Sequence, residues 1–120
     1  MKASKYMVAT LLLIFVGETL GIYAEVLGAR IVFLQGAGFV SAFALAFAII
    51  FVSGALLIAG YMLGILSLKN IWAVGVVSVC SILIMEPLLD YSIFGQLPTA
   101  GAAIGFGMAA LGLVVDLLVK

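Results

Sequence analysis

Between Arg30 and Lys69 the chain carries no charged side chain. Few arrangements in water could bury so long an uncharged run, because a small domain leaves much of its surface exposed. Lipid removes the conflict. A helix that crosses the hydrocarbon needs about 20 apolar residues, and this run holds more than one such length. The same character extends over the whole chain: of 120 residues, 68% are hydrophobic and only 8% are charged, where a soluble domain carries roughly a quarter. The expected fold is therefore all-α, an integral membrane bundle of four transmembrane helices forming one domain over residues 1–120. Helices are expected because an isolated strand cannot satisfy its backbone groups in lipid.

The breaks in hydropathy place the spans at about residues 6–27, 38–66, 71–91 and 100–119. Arg30 and Gln35-Gly36 mark the first connection. The second is Ser67-Leu68-Lys69-Asn70, the only polar cluster mid-chain. The third is Phe94-Gly95-Gln96-Leu97-Pro98-Thr99, where Gly and Pro are breakers. Span 2 is long enough to tilt. Lys2 and Lys5 ahead of an apolar run imitate a signal peptide, but Glu18 interrupts that run, no convincing cleavage site follows, and three further spans do. Lys2, Lys5, Lys69 and Lys120 fall on one side and Arg30 alone on the other, which by the positive-inside rule puts both termini in the cytoplasm of a multi-pass protein.

Composition also excludes chemistries. The formal net charge is zero, and no basic patch is present to neutralise phosphates, so nucleic acid is not an expected partner. Cys80 has no second cysteine to pair with, and the chain has no His. Disulfides, cysteine-based metal sites and the commonest general base and metal ligand are thereby removed. No cofactor or metal is expected, and an enzyme is not.

Glu18 is the most informative residue. It sits near the middle of span 1, where a charged group is costly and by default marks a functional site. Loss of water disfavours the ionised form, so the carboxyl reads as a proton site that a cation can also occupy. The alternative is a protonated Glu bonded to a neighbouring helix. Gly21, Ile22 and Glu25 share its face at helical spacing, and Gly21 admits a close neighbour. Glu25 reads as an interfacial carboxylate or a partner of Arg30. Glu86 and Asp90 are four residues apart and share a face. They read equally as an acidic mouth for a cationic substrate or as ion-pair partners of Arg30. Pro87 between them predicts a kink in span 3. Tyr23 and Tyr61 are candidates to line a cavity. Trp72 and Tyr91, at opposite ends of span 3, have the shape of interfacial anchors, and Asp116 reads as solvated at the headgroups. On span 4, Gly101 and Gly105 form G-x-x-x-G, with Gly112 on nearly the same face; small residues of this kind let helices approach in lipid.

This layout resembles the small multidrug resistance family of the drug/metabolite transporter superfamily. Gly17-Glu18-Thr19-Leu20-Gly21 looks like that family's Ala-Glu-Val-Ile-Gly pattern, and Phe94-Gly95-Gln96 with Gly105 and Gly112 matches its Phe-Gly-Gln and two span-4 glycines. The resemblance covers all four spans in layout and motifs in spans 1 and 4. In span 3 the family's aromatic pair is reduced to Trp72, and Glu86-Pro87-Leu88 looks instead like larger or lipid-carrier members. What the resemblance implies is a proton-coupled antiporter or exporter of small cationic or amphipathic compounds. It would work as a homodimer, or paired with a homologous subunit. The resemblance places Glu18 on the shared proton and substrate site with Gly21 beside it, and Gly105 and Gly112 on the dimer contact; the residues themselves add Ile22, Tyr61, Trp72, Glu86 and Asp90 as candidates for the site and Gly101 for the contact. Two other classes stay open: a flippase subunit for a lipid-linked sugar, against which stands the scarcity of Arg and Lys for a lipid phosphate, and a non-transporting assembly subunit.

Overall fold

A computed structural model of the chain describes residues 2–34, 36 and 38–119, with residues 2–4 described by backbone alone. It contains four helices: α1 (Lys2–Leu34), α2 (Phe39–Leu68), α3 (Ile71–Phe94) and α4 (Ala100–Leu118). All four are long and apolar enough to cross a membrane, and the fold is the expected all-α, four-helix membrane architecture.

The helix ends follow local chemistry. Lys69 takes the left-handed conformation (φ 56°) that closes α2. Asn70 then accepts a hydrogen bond from the Trp72 amide, 2.9 Å, and opens α3. Two residues thus make the whole turn. Gly95, at φ 72°, closes α3 as only glycine does without strain. Thr99 accepts from the Ala102 amide, 3.1 Å, and opens α4.

Three expected boundaries move. Helix α1 begins at Lys2, ahead of the expected start near residue 6. Helix α1 runs on to Leu34, well past the expected end near residue 27, so Arg30 lies on the helix and not in a connection. The physical reason is that nothing between Leu27 and Leu34 breaks a helix; the one glycine there, Gly28, is tolerated because it packs on Ala46, whose Cβ would lie 3.3 Å from an added methyl. Likewise α3 continues to Phe94, and the third turn begins only at Gly95. Gln35 lies outside the described residues. Pro87 sits inside α3 without ending it; it lacks the N–H that Leu83's carbonyl would otherwise accept from. At about 1.5 Å per residue, the 33 residues of α1 reach about 50 Å, beyond the ~30 Å hydrocarbon. α1 therefore tilts or projects.

Helix α1 is the centre of the molecule. It packs on α2 and on α3, and α4 packs on α3 alone among the described elements. The α1–α2 seam is built on small residues. A methyl on Gly17 would meet Leu57 at 2.9 Å, one on Gly21 would meet Ser53 at 3.1 Å, and one on Gly60 would meet Ile14 at 2.8 Å. These pairs run in strict antiparallel register, each step along α1 matched by an equal step back along α2. Continued, the register sets Lys5 level with Lys69. Helix α3 lies parallel to α1: Val74 meets the site of a Gly64 methyl beside Thr10, and at the other end the Phe33 and Phe94 rings stand 6.4 Å apart.

The core sits at the Lys5–Lys69 end. Ile14, Val74 and Thr10 are its largest fully buried side chains, gathered around Gly60 and Gly64. In lipid such contacts hold by dispersion and interhelical hydrogen bonds, not by hydrophobic burial. Helix α4 buries no residue.

Candidate functional site

Above this core, between α1, α2 and α3, lies a cavity of about 250 Å³. Helix α1 contributes Glu18, Gly21, Ile22 and Glu25; α2 contributes Ile50, Ser53 and Leu57; α3 contributes Ile82 and Glu86. Three carboxyl groups therefore share one chamber, and no Lys or Arg lines it.

Each acid reaches the chamber for a local reason. Gly17 and Gly21 bracket Glu18 and bring α2 close enough for the Ser53 hydroxyl to donate to the Gly17 carbonyl, 2.7 Å. Glu18, turned toward α3, is half-buried and accepts a hydrogen bond from the Ser78 hydroxyl. Glu25 is two turns further on the same helix and exposed. Glu86 is half-buried, within electrostatic reach of both Glu25 and Asp90.

The residues singled out in the sequence divide into three groups. Glu18, Gly21, Ile22 and Glu86 meet at the cavity, with Ile22 buried. Asp90 lies one turn beyond Glu86, in a neighbouring groove of about 290 Å³ with Pro87, Phe94, Gln96 and Thr99. Tyr61, Trp72 and Tyr23 do not line the cavity. Tyr61 is half-buried at the level of the Ile14 core. Trp72 is 82% exposed, at the start of α3 in a groove shared with Asp116. Gly101, Gly105 and Gly112 form the third group: an added methyl on any of them would meet nothing within 4 Å.

Arg30 does not pair with the acids. Its Nε is buried without a hydrogen-bond partner, and among the described residues no ion pair joins it to Glu25, Glu86 or Asp90. Among those residues, no cluster of three or more acids and thiols is placed to hold a metal ion. Cys80 is a free thiol in an apolar groove with Leu12, Phe15 and Leu117.

Two functional candidates escape a reading of charge alone, Ser53 and Ser78. Both are buried, and both send their hydroxyls across to α1. A polar side chain at the core-facing period of an apolar helix was the available signal: Val74, Ser78 and Ser81 are the buried residues of α3, and their spacing marks one face.

In chemical terms the chamber can hold a proton on a carboxyl, or a small cation against several carboxylates. No family model, curated protein or solved structure matches the chain, so its chemistry is argued from this geometry.

Proposed function

We propose that the protein is a small proton-coupled secondary transporter, exchanging protons for a small cationic or amphipathic compound at Glu18. The observation that carries this reading is the shared cavity of Glu18, Glu25 and Glu86, lined by no basic residue. Such a chamber attracts cations and rejects anions. A proton and an organic cation compete for the Glu18 carboxyl, so loading one releases the other, which is the coupling an antiporter needs. A lipid-phosphate carrier would need the opposite charge in its chamber.

The proposed working unit is a homodimer. In one chain Glu18 is only half-buried, and a carboxylate facing lipid is costly. A second copy would close the open side. The glycines of α4 are free to meet a partner helix, and small residues suit such contacts. Both termini are proposed to be cytoplasmic, since the register sets Lys5 and Lys69 at one end.

The test is proton release. Tetraethylammonium added to the purified protein in weakly buffered detergent solution is expected to expel protons, and Glu18→Gln to abolish that release. Cation binding with no proton released would overturn the reading in favour of a scaffold whose acids serve packing.

A further inference from the structure

We infer that Ser78 is the positioning residue for the Glu18 carboxyl, setting both its orientation in the chamber and its affinity for the substrate cation. The inference rests on the transport reading above and names a residue that reading does not require. Serine in an apolar helix ordinarily turns its hydroxyl back to the carbonyl four residues earlier, since the membrane offers it little else. Ser81 does so, donating to the Val77 carbonyl at 2.9 Å, and Thr19 does so to the Phe15 carbonyl at 2.7 Å. Ser78 does not. It crosses to α1 and donates to Oε2 of Glu18, sixty residues away.

Backbone placement supports this independently of the hydroxyl. Val74, Ser78 and Ser81 are the buried face of α3, Val74 is packed against the α1–α2 seam, and Ser78 is 8% exposed. Ser78 therefore has α1 before it whatever its rotamer. The other groups around Glu18 offer no substitute. From α1 comes Glu25 and from α3 comes Glu86, both acids; α2 presents Ile50, Leu57 and Ser53, whose hydroxyl is committed to the Gly17 carbonyl. Among the described residues Ser78 is the one hydroxyl given to Glu18.

A flexible carboxyl arm in a cavity has several rotamers, and each must be paid for when a cation binds. A fixed donor on one oxygen leaves the other oriented toward the chamber, preorganised for the cation. It is also a hydrogen bond to a group that carries charge in one state of the cycle, the stronger kind.

The experiment is infrared difference spectroscopy across a pH jump on the purified protein. The band of protonated Glu18 is identified by its loss in Glu18→Gln. In Ser78→Ala the carbonyl stretch is expected to move to higher wavenumber, as a carbonyl that has lost its donor does. Ser78→Thr, which keeps the hydroxyl, should bring it back. Tetraethylammonium affinity should fall about tenfold in Ser78→Ala, the low end of what one hydrogen bond to a charged group contributes. Should Ser78→Ala fail to fold, Ser78→Cys, a weaker donor of similar size, should give a smaller shift in the same direction. An unmoved band and unchanged affinity in the folded variant overturn the role of Ser78. If Glu18→Gln itself leaves proton release intact, it is the transport reading that fails.

Discussion

The Ser53 hydroxyl donates to the Gly17 carbonyl at 2.7 Å, joining α2 to α1 one residue before Glu18. The bond is buried, and the register of the seam passes through it, since a methyl added at Gly21 would lie 3.1 Å from the Ser53 hydroxyl oxygen. Ser53→Ala should cost about 0.6 kcal/mol, the average for interhelical side-chain bonds in a membrane protein, read as a small loss of unfolding free energy. Ser53→Val, which adds bulk at the same contact, should cost more. A Ser53→Ala protein as stable as the parent, with Ser53→Val destabilised, would show that the seam is held by packing and not by this bond.

Glu18→Gln keeps the shape and the acceptor for Ser78 but cannot ionise. The variant should fold and assemble as the parent does, while uptake no longer responds to a pH gradient. Glu18→Asp should still bind the cation with an altered pH dependence, because the shorter arm changes the carboxyl's contacts and solvation. Coupled uptake by Glu18→Gln at the parental rate would remove Glu18 from the site.

The glycines of α2 and α4 should respond oppositely to added bulk. A methyl at Gly60 would lie 2.8 Å from Ile14, and one at Gly64 would lie 2.9 Å from Val74, with Ile14 and Val74 fully buried. Gly60→Leu should lower stability by about 1–3 kcal/mol, the range for overpacking a filled core. Gly105→Ala meets open space within the chain and should leave the folded protomer's stability unchanged or slightly improved. Thermal unfolding in detergent compares the two directly.

Gly112→Leu addresses the dimer. Its position is free within one chain, so the protomer should fold normally. If α4 is the contact between copies, the leucine fills the groove, shifts the protein to monomer in detergent and eliminates transport. A crosslinked dimer that persists in full would place the interface elsewhere.

Accessibility labelling settles orientation. Single cysteines replacing Lys5 and Lys69, in a Cys80→Ser background, should both react from the cytoplasmic side in most copies. Equal labelling from the two sides would mean that the lysine bias does not decide insertion.

The amino-acid order by itself determined the class of fold and the approximate spans, because solvent decides both. An uncharged run from Arg30 to Lys69 has few stable homes outside lipid, and in lipid a backbone must close its own hydrogen bonds. It also singled out Glu18, since a carboxyl in mid-span is conspicuous against its surroundings. The end of α1 was less legible, because the residues after 27 form helix as readily as they mark an interface, and nothing requires a helix to end where the hydrocarbon does.

Partnership was decided only by tertiary structure. Spacing placed Glu86 and Asp90 on one face, but the packing of α3 on α1 put Glu86 into the chamber with Glu18 and left Asp90 in the groove beside it. The G-x-x-x-G pattern drew attention to α4, whereas within the chain it is Gly17, Gly21, Gly60 and Gly64 that are filled by neighbours. Trp72 and Tyr61, plausible by residue type, stand away from the cavity, and Ser78, unremarkable by type, touches its central carboxyl. The physical reason is common to all of these. Hydropathy is a property of each residue against its solvent, and a single chain records it directly. A contact depends on the relative rotation and register of two helices, which close packing of small residues sets across a seam that no single segment contains.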